Sequence, residues 1–299
     1  MIVGMFEHTN IFDPADIVLP DTACGAGGSG LRVRLAAVRE EIDAIGALRR
    51  GVLHQRTDTR QSPRTRLPAR DADVLDEIAD HLILEDKAHG GGADGIVGAC
   101  RLLRGSVVRA AGSRLAAPGF ATGSRYDIAP LLQSPGEILE LGGACIEPAY
   151  RTQRSFDLLR RGIAAYGFAF NIDIMFGCAS FAGTDPTLFA DSLALLHHRY
   201  LAPAHIRPRA LPERHVAMDG KPADEIDQPA AWRALPPDLR GYLRLGAAIG
   251  DGAVINHAFD ATDICLVLRT DRLTDRYLRR RSRRPVETGA LRLSTIAAA

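Results

Sequence analysis

Residues 138–181 read ILELGGACIEPAYRTQRSFDLLRRGIAAYGFAFNIDIMFGCASF, and this stretch decides the fold. Its two apolar ends predict buried strands, and the arginine-containing segment between them predicts a helix. The first strand carries one carboxylate, Glu140, in an otherwise apolar run and then reaches Gly142 and Gly143. Glycine within a strand pattern indicates a bulge or a place where something approaches the backbone closely. The pattern therefore predicts a strand–helix–strand unit whose first strand is interrupted beside a carboxylate.

The start of the predicted helix is basic. Pro148 ends the first strand, and the run RTQRS (residues 151–155) opens the helix. Unpaired amides and the helix dipole favour an anion at such a helix start. We therefore expect Arg151, Arg154 and Ser155 to hold a phosphate-bearing arm of a substrate. The alternative is an ordinary solvated helix start.

The composition is that of an ordinary globular protein, with 299 residues, 46% hydrophobic and 24% charged. Five scattered cysteines form no CxxC pair, which argues against a disulfide framework or a zinc ribbon. Histidine and carboxylate residues show no ligand spacing, so no metal ion is expected. No apolar run approaches the roughly 18 residues of a membrane span, and no signal peptide is evident, so a cytoplasmic protein is predicted.

The formal net charge is only +1, but positive charge is concentrated near the C-terminus. Residues 269–299 contain nine arginines against three acidic residues. Such a segment is a solvated end, or it rests on an anionic membrane surface or an acidic protein. The sequence does not distinguish between these three interpretations.

The remaining pattern alternates strands and helices, with hairpin-like early strands, and predicts a single α/β (α+β) domain with a mixed sheet. Residues 1–30 are expected to be a flexible leader, 31–280 the domain, and 281–299 a basic tail. Strands are expected at residues 31–35, 80–85, 95–103 and 261–268, helices at 38–54, after Asp185 and at 239–249, and loops at 56–73 and 211–236.

Several longer runs resemble a known family. They are LELGGACIEPAYRT (139–152), LLRRGIAAY (158–166), FGCASFAGTDP (176–186) and PPDLRGYLRLGAAIGDGAVINHAFDATDICLVL (236–268). The upstream runs DHLILED, IVGACRLL and FATGSRYDIAPLL occur in the family's order. Together they resemble the ornithine–acyl-carrier-protein N-acyltransferases, which have the GCN5-related N-acyltransferase (GNAT) fold and are close in kind to autoinducer synthases. The resemblance covers roughly residues 31–280.

The resemblance implies transfer of a 3-hydroxyacyl chain from acyl carrier protein to the α-amine of L-ornithine, the first step of ornithine lipid synthesis. The donor is then the phosphopantetheine thioester of the carrier, and no further cofactor is expected. The expected partners are acyl carrier protein, ornithine and an anionic membrane surface, but no nucleic acid. The enzyme would lie in the cytoplasm, with peripheral contact to the inner face of the plasma membrane.

This sequence departs from the family pattern at four positions. Gly143 and Ala144 stand where the family usually has arginine and serine, Arg50 where it favours an aromatic residue, and Asn256 where aspartate is common. These differences leave two alternatives open. The chain acts on another amine, such as glycine or a homoserine-lactone precursor, or it is a non-catalytic homologue that binds carrier protein or membrane.

Candidate site residues follow from the chemistry of amine acylation, which needs a neutral amine and donors for the oxyanion. Glu140 is the candidate base, directly or through water, and its alternative role is structural. Backbone amides around Gly142, Gly143 and Cys145 are candidates to hold the thioester arm. The substrate-binding candidates are Asp80, His81, Ser180, Asp251 and Asp263.

Overall fold

The computed structural model describes residues 18–20, 30–57, 69–115 and 119–271. Within these residues, eleven strands form a mixed sheet with α-helices on both faces. The strands are β1 (Val18–Pro20), β2 (Leu31–Leu35), β3 (Asp80–Asp86), β4 (Ile96–Arg104), β5 (Tyr126–Asp127), β6 (Glu137–Ile146), β7 (Ile172–Ala182), β8 (Arg209–Ala210), β9 (His215–Val216), β10 (Ala248–Asn256) and β11 (Ala261–Arg269). The helices are α1 (Arg39–Thr57), α2 (Ala69–Ile78), α3 (Gly105–Ala111), α4 (Ala129–Leu132), α5 (Gln153–Ala169), α6 (Ala190–Tyr200), α7 (Gln228–Ala234) and α8 (Pro237–Leu245).

The sheet has the strand order β1-β2-β3-β4-β6-β7-β11-β10-β8-β5, and β9 pairs with β10 outside this path. Strands β6 and β7 are parallel, and so are β8 and β10. The other pairings among the described strands are antiparallel. This confirms the mixed sheet, and it places the parallel β6–α5–β7 unit at the centre.

Helix α5 connects β6 to β7 across one face of the sheet. It begins after Thr152, whose Oγ1 accepts a hydrogen bond from the Ser155 amide at 3.2 Å and so caps the helix. Apolar side chains such as Leu158, Ile163 and Tyr166 recur at helical spacing and are buried. They join the larger of the hydrophobic clusters, which also includes residues of β2, β3 and β7.

The opposite face of the sheet carries a second apolar cluster. Phe120, Tyr126 and Ile128, from the segment that precedes α4, pack there against Ile138 of β6 and Phe176 of β7. Helices α1 and α2 lie against β4 on this side, beside the same strands. Strand residues alternate between faces, so the side chains of Glu140 and Ile138 point to this second side.

The predicted helix at residues 239–249 is wrong at its C-terminal end. Helix α8 ends at Leu245, where Gly246 adopts a left-handed conformation with φ of 100°. Strand β10 begins only two residues later, at Ala248. The small apolar run GAAIG satisfies helical spacing equally well, and only the cross-strand pairing with β11 selects the strand.

Three other segments differ from the predictions. Val18–Pro20, within the predicted leader, forms a strand paired with β2. Ala69–Ile78 is helical, although the loop was predicted to extend to residue 73, and Gln228–Ala234 forms a helix capped by Asp227 within the second predicted loop. The remaining leader and the basic tail at 281–299 lie outside the described residues. No described helix is long and apolar enough to cross a bilayer.

Gly162 of α5 offers a test of how closely this helix packs on the sheet. A Cβ there would lie 2.5 Å from Val33 Cγ1 and 2.8 Å from Leu82 Cδ2, and both residues are fully buried. We expect Gly162→Ala to lower the free energy of unfolding by about 1–2 kcal/mol, because overpacking exceeds the helix-propensity gain. Urea denaturation followed by circular dichroism measures this change.

The matched control is Gly51→Ala in α1, where a Cβ would meet nothing within 4 Å. It makes the same chemical change in a helix without the clash, and we expect about 0.5–1 kcal/mol of stabilisation. Equal effects of the two variants would show that α5 does not pack as closely as described.

Candidate active site

Strands β6 and β7 are paired over only part of their length. Their parallel register joins residues 137–140 to residues 172–176 and ends with the pair Glu140 and Phe176. Beyond this point β6 continues against β4, and β7 continues against β11. A gap therefore opens between residues 141–146 and 177–182, and Glu140 lies at its closed end.

Gly177 allows the backbones to pass each other where the gap begins. A Cβ at this position would lie 2.3 Å from the carbonyl oxygen of Leu141. No side chain fits at such a distance, so any larger residue would push the two strands apart just beyond their last pair.

The predicted interruption of β6 at Gly142 and Gly143 is confirmed. The register between β4 and β6 shifts between Ala99 and Arg101, and Gly143 has a φ of 54°, which favours glycine. Gly143 and Ala144 are exposed. The bulge therefore presents polar backbone groups beside the gap, as expected for a strand that accepts a ligand.

Glu140 is 1% exposed and hydrogen-bonded to the backbone. Its Oε1 accepts from the Thr122 amide at 2.7 Å, and its Oε2 accepts from the Ala121 amide at 3.1 Å. These bonds anchor the segment that leads into β5. An ionised carboxylate has about four acceptor positions, so two remain for a substrate amine or a water. Glu140 therefore has a structural role as an acceptor of backbone hydrogen bonds, and this role is compatible with its acting as a base.

The anchored segment places Arg125 next to strands β7 and β11. Its guanidinium forms an ion pair with Asp263 of β11, which is 1% exposed. The same carboxylate accepts from Ser180 Oγ at 2.6 Å and from Asn256 Nδ2 at 2.8 Å. Ser180 and Asp263, both predicted to bind substrate, are therefore direct cross-strand partners. Asp263 thus already accepts hydrogen bonds from three donors, and it fixes the positions of their side chains.

Cys178 lies on the same face of β7 as Ser180. Burial raises the pKa of its thiol to about 11. Burial also raises the pKa of Cys145, whose side chain packs against the α1 cluster. Both thiols therefore remain protonated near neutral pH and are not activated nucleophiles.

A second charged cluster lies on the other side of Glu140. Asp76 of α2 accepts from Arg49 Nη1 at 2.9 Å and from Arg101 Nη1 at 3.2 Å. Arg49 Nε also donates to the Gly143 carbonyl at 3.0 Å. His81 is 1% exposed, and burial lowers the pKa of its imidazole. Its Nε2 lies 3.0 Å from the Asp76 carbonyl, which can only accept, so the neutral ring carries its proton there.

The other predicted substrate carboxylates lie elsewhere. Asp80 precedes His81 and therefore points to the opposite face of β3, where Tyr166 of α5 donates to it. Arg104 lies 3.6 Å from the same carboxylate. Asp251 lies within β10, opposite Arg209 of β8, and pairs with the Arg209 side chain, which is 69% exposed. Asp80 and His81 thus do not face one substrate together, and Asp251 is partly exposed in the irregular part of β10 between Ile249 and Ala253.

The basic helix start lies just after the far end of β6. Arg151 is exposed, and its Nε donates to the Ile146 carbonyl at 3.0 Å, which fixes the connection. Arg154 is partly buried, and Ser155 is buried under the Thr152 cap. Residues 141–152 therefore connect the gap directly to the basic start of α5.

Sequence reasoning missed the partners that complete both clusters: Arg49, Asp76, Arg101, Thr122 and Arg125. Asp76 lies in a segment with no distinctive motif, and Thr122 acts through its backbone amide. Arg125 and Arg101 belong to the family-like runs FATGSRYDIAPLL and IVGACRLL, which were the available signal.

One surface cleft of about 250 Å³ lies away from this chemistry. It is lined by Ser134, Asp173, His205 and Arg269, among others, at the paired ends of β6 and β7. The charged groups next to Glu140 lie at the opposite end of the paired region, beside the gap.

Asp263 and Asp251 provide a matched test of the inner cluster. In Asp263→Asn, an amide group faces existing donors and Arg125 loses its buried counter-charge. We expect a loss of about 3–5 kcal/mol in the free energy of unfolding. Asp251→Asn removes an exposed pair and should cost at most about 1 kcal/mol. Chemical denaturation measures both, and similar losses would contradict a buried, coupled Asp263.

Comparison with known proteins identifies the family. Residues 48–161 match the family model "Acetyltransferase (GNAT) domain". The chain is 37% identical over 288 residues to the L-ornithine N(alpha)-acyltransferase of Agrobacterium fabrum, covering 93% of this chain and 96% of that protein. It is 41% identical over 255 residues to the L-ornithine N(alpha)-acyltransferase of Brucella abortus, covering 83% and 87%.

Among solved structures, FeeM, an N-acyl amino acid synthase from uncultured soil microbes, aligns over 83% of this chain and 95% of its own. The TM-score is 0.46 and the identity 10%. The level and extent of identity to the curated relatives decide the assignment. The chain belongs to the L-ornithine N(alpha)-acyltransferase family and is an acyltransferase with the GNAT fold.

Proposed function

We propose that this protein transfers an acyl chain from an acyl carrier protein to the α-amine of L-ornithine. The names of its relatives support ornithine as the acceptor. The structural observation that carries the proposal is the gap between β6 and β7 with Glu140 at its closed end. A thioester held along the bulged edge of β6 would present its carbonyl carbon next to that carboxylate.

The reaction is a direct displacement. The neutral α-amine attacks the thioester carbonyl, a C–N bond forms, and the C–S bond to the phosphopantetheine thiol breaks. The proton lost by the amine passes to Glu140, directly or through water, and then to the departing thiolate. Backbone amides of the bulge around Gly142 and Gly143 are suited to stabilise the oxyanion.

Glu140 suits this role because its position is fixed before the substrate arrives. The amides of Ala121 and Thr122 hold both oxygens, so little reorganisation is needed during proton transfer. Ser180 and Arg125 are held by Asp263 on the next strands and form the far wall of the same face.

The donor arm would follow β6 towards the start of α5. There the helix amides and the exposed Arg151 favour the phosphate of phosphopantetheine. Arg154, Arg160 and Arg161 lie on the same helix and suit an acidic carrier protein. Asp251, which is partly exposed in β10, is the candidate partner for the side-chain ammonium of ornithine.

The first experiment is a mass-spectrometric transfer assay. The protein is incubated with 3-hydroxyacyl carrier protein and a mixture of ornithine, lysine, glycine and S-adenosylmethionine, with acyl-CoA as the donor in parallel. We expect an acylated product on ornithine from the carrier. A product on another amine would show that this amine, and not ornithine, is the acceptor. Absence of any product, with carrier binding intact, would reject the catalytic proposal.

Glu140→Gln tests the base. We expect kcat to fall by about 10²–10⁴-fold, the usual contribution of a general base. Glu137→Ala is the control on the same strand, because a glutamine at this position could keep the single oxygen, Oε1, that accepts the backbone amides. Glu137 also accepts a backbone amide, that of Ser106 at 2.9 Å, but it lies at the paired end of β6. It removes a similar anchor without touching the gap.

The two variants separate a chemical role from an anchoring role. If Glu140 acts only as an anchor, kcat should fall in Glu140→Gln no further than its loss of stability accounts for, as in Glu137→Ala. A normal kcat in Glu140→Gln would exclude it as the base. Thermal unfolding of both variants should be recorded alongside the rates, because each variant leaves at least one backbone amide without its acceptor.

A lipid product and the basic C-terminal segment together support contact with an anionic membrane surface. Removal of the residues after Leu278 should weaken pelleting with anionic vesicles, and the difference should shrink at high salt because the attraction is electrostatic. Neutral vesicles are the control. Equal pelleting of the full and shortened chains would show that the segment does not contact the membrane.

A further inference from the structure

Arg101 of β4 has an unused hydrogen-bonding edge. The residue is 6% exposed, and its Nη1 donates to Asp76 at 3.2 Å. Its Nε is buried and has no hydrogen-bond partner among the described residues. A buried N–H without a partner is unfavourable, so this edge has capacity for a ligand that offers hydrogen-bond acceptors.

The unused edge faces β6 at Gly142. A Cβ at Gly142 would lie 3.1 Å from Arg101 Nη2 and 3.4 Å from its Nε. Glycine therefore leaves free the space into which the Nε–Nη2 side of the guanidinium points. This side presents two parallel N–H groups, the arrangement that binds a carboxylate with two hydrogen bonds.

The neighbouring groups leave the cluster with excess positive charge. Arg49 and Arg101 share the single carboxylate of Asp76, and burial keeps His81 neutral by lowering its pKa. Arg49 is fully engaged, because it donates to Asp76 and to the Gly143 carbonyl and lies 3.4 Å from His81 Nδ1. Within this cluster, Arg101 therefore has capacity for one further anion.

The strand register brings this edge close to the proposed base. Arg101 pairs with Gly142, and Leu103 pairs with Glu140, so Arg101 and Glu140 are diagonal neighbours on one face. Diagonal neighbours on antiparallel strands lie about 7–8 Å apart at Cα. An amino acid can span this distance with its carboxylate on Arg101 and its α-amine directed at Glu140.

We propose that the Nε–Nη2 edge of Arg101, over Gly142, binds the α-carboxylate of the amino-acid acceptor and so selects an α-amino acid over a simple amine. This assignment rests on the proposed function. Asp76 orients the guanidinium by holding Nη1, and Arg49 holds Asp76 in turn.

The phosphate of the donor arm is the competing anion, and its expected position argues against it. The phosphate belongs at the start of α5, beyond the far end of β6, whereas Gly142 lies in the first part of the bulge next to Glu140. The reacting amine is two bonds from the carboxylate carbon of an amino acid, so the carboxylate must bind near the base.

The test compares ornithine with ornithinamide, which retains the α-amine and the side chain but has no carboxylate. The measured quantity is the ratio of kcat/KM for the two acceptors in the wild type, Arg101→Met, Arg101→Lys and Arg104→Met. A charge-assisted bidentate contact predicts a wild-type ratio of about 10–100 in favour of ornithine. Both Arg101 variants should lower this ratio to the value set by the intrinsic reactivities of the two α-amines.

Arg104→Met is the matched control. Arg104 lies on the same strand and also has a buried Nε without a partner, but it faces the other side, next to Asp80 and Phe170. It should keep the wild-type ratio even if it loses stability. Arg101→Lys keeps the charge next to Asp76, so it is expected to remain folded while it loses the bidentate edge.

The outcomes are distinct. A ratio that stays at the wild-type value in Arg101→Lys and Arg101→Met, or an equal loss for both acceptors, overturns the carboxylate site. A raised KM for the carrier thioester in these variants would assign the edge to the donor arm instead. If the wild type acylates no ornithine, the proposed function fails by itself, and calorimetric dissociation constants for ornithine and ornithinamide then replace the rates. Equal affinities in that experiment overturn the carboxylate site as well.

Discussion

The end of the pairing between β6 and β7 is the constraint on which the site depends. Two adjacent parallel strands normally continue together, because every unpaired backbone group loses a hydrogen bond. Here β6 is held by β4 and β7 by β11 beyond the last shared pair, Glu140 and Phe176. Each strand therefore keeps one partner, and the gap has two rigid walls.

Glu140 links this gap to the rest of the fold. Its carboxylate accepts from the amides of Ala121 and Thr122, and the segment so anchored places Arg125 on Asp263. Loss of the carboxylate would thus affect the position of the Arg125 cluster as well as any proton transfer. A single mutation at this position does not separate the two effects, whereas comparison with Glu137 does.

Two charged clusters flank Glu140 on one face of the sheet, and they differ in net charge. In the first, Asp263 matches Arg125 and also binds Ser180 and Asn256, so its charge is fully compensated. In the second, two arginines share Asp76. The first cluster therefore serves as a fixed wall, while the second retains attraction for an anion. The amide of Asn256 supports this difference, because it donates to Asp263 where an aspartate would add a second negative charge.

The departure at Gly143 has a physical counterpart in the structure. A Cβ at this position would lie 2.7 Å from the guanidinium carbon of Arg49, and the backbone has a left-handed φ of 54°. Any side chain here would displace Arg49 in its described position. Arg49 instead donates to the Gly143 carbonyl and occupies the adjoining space. The glycine and the arginine are therefore explained together.

The sequence by itself determined the central β6–α5–β7 unit, the bulge at Gly142 and Gly143, and the place of the Glu140 carboxylate within an apolar strand. These features depend on apolar periodicity, glycine in a strand and a carboxylate in an apolar run, all of which are local. It did not determine β10, because small apolar residues satisfy helical and strand spacing alike. Only the tertiary structure decided which charges meet, since Arg101, Asp76 and Arg49, and likewise Arg125 and Asp263, come from distant elements. Their partnerships arise from strand register and helix packing, which no local pattern encodes.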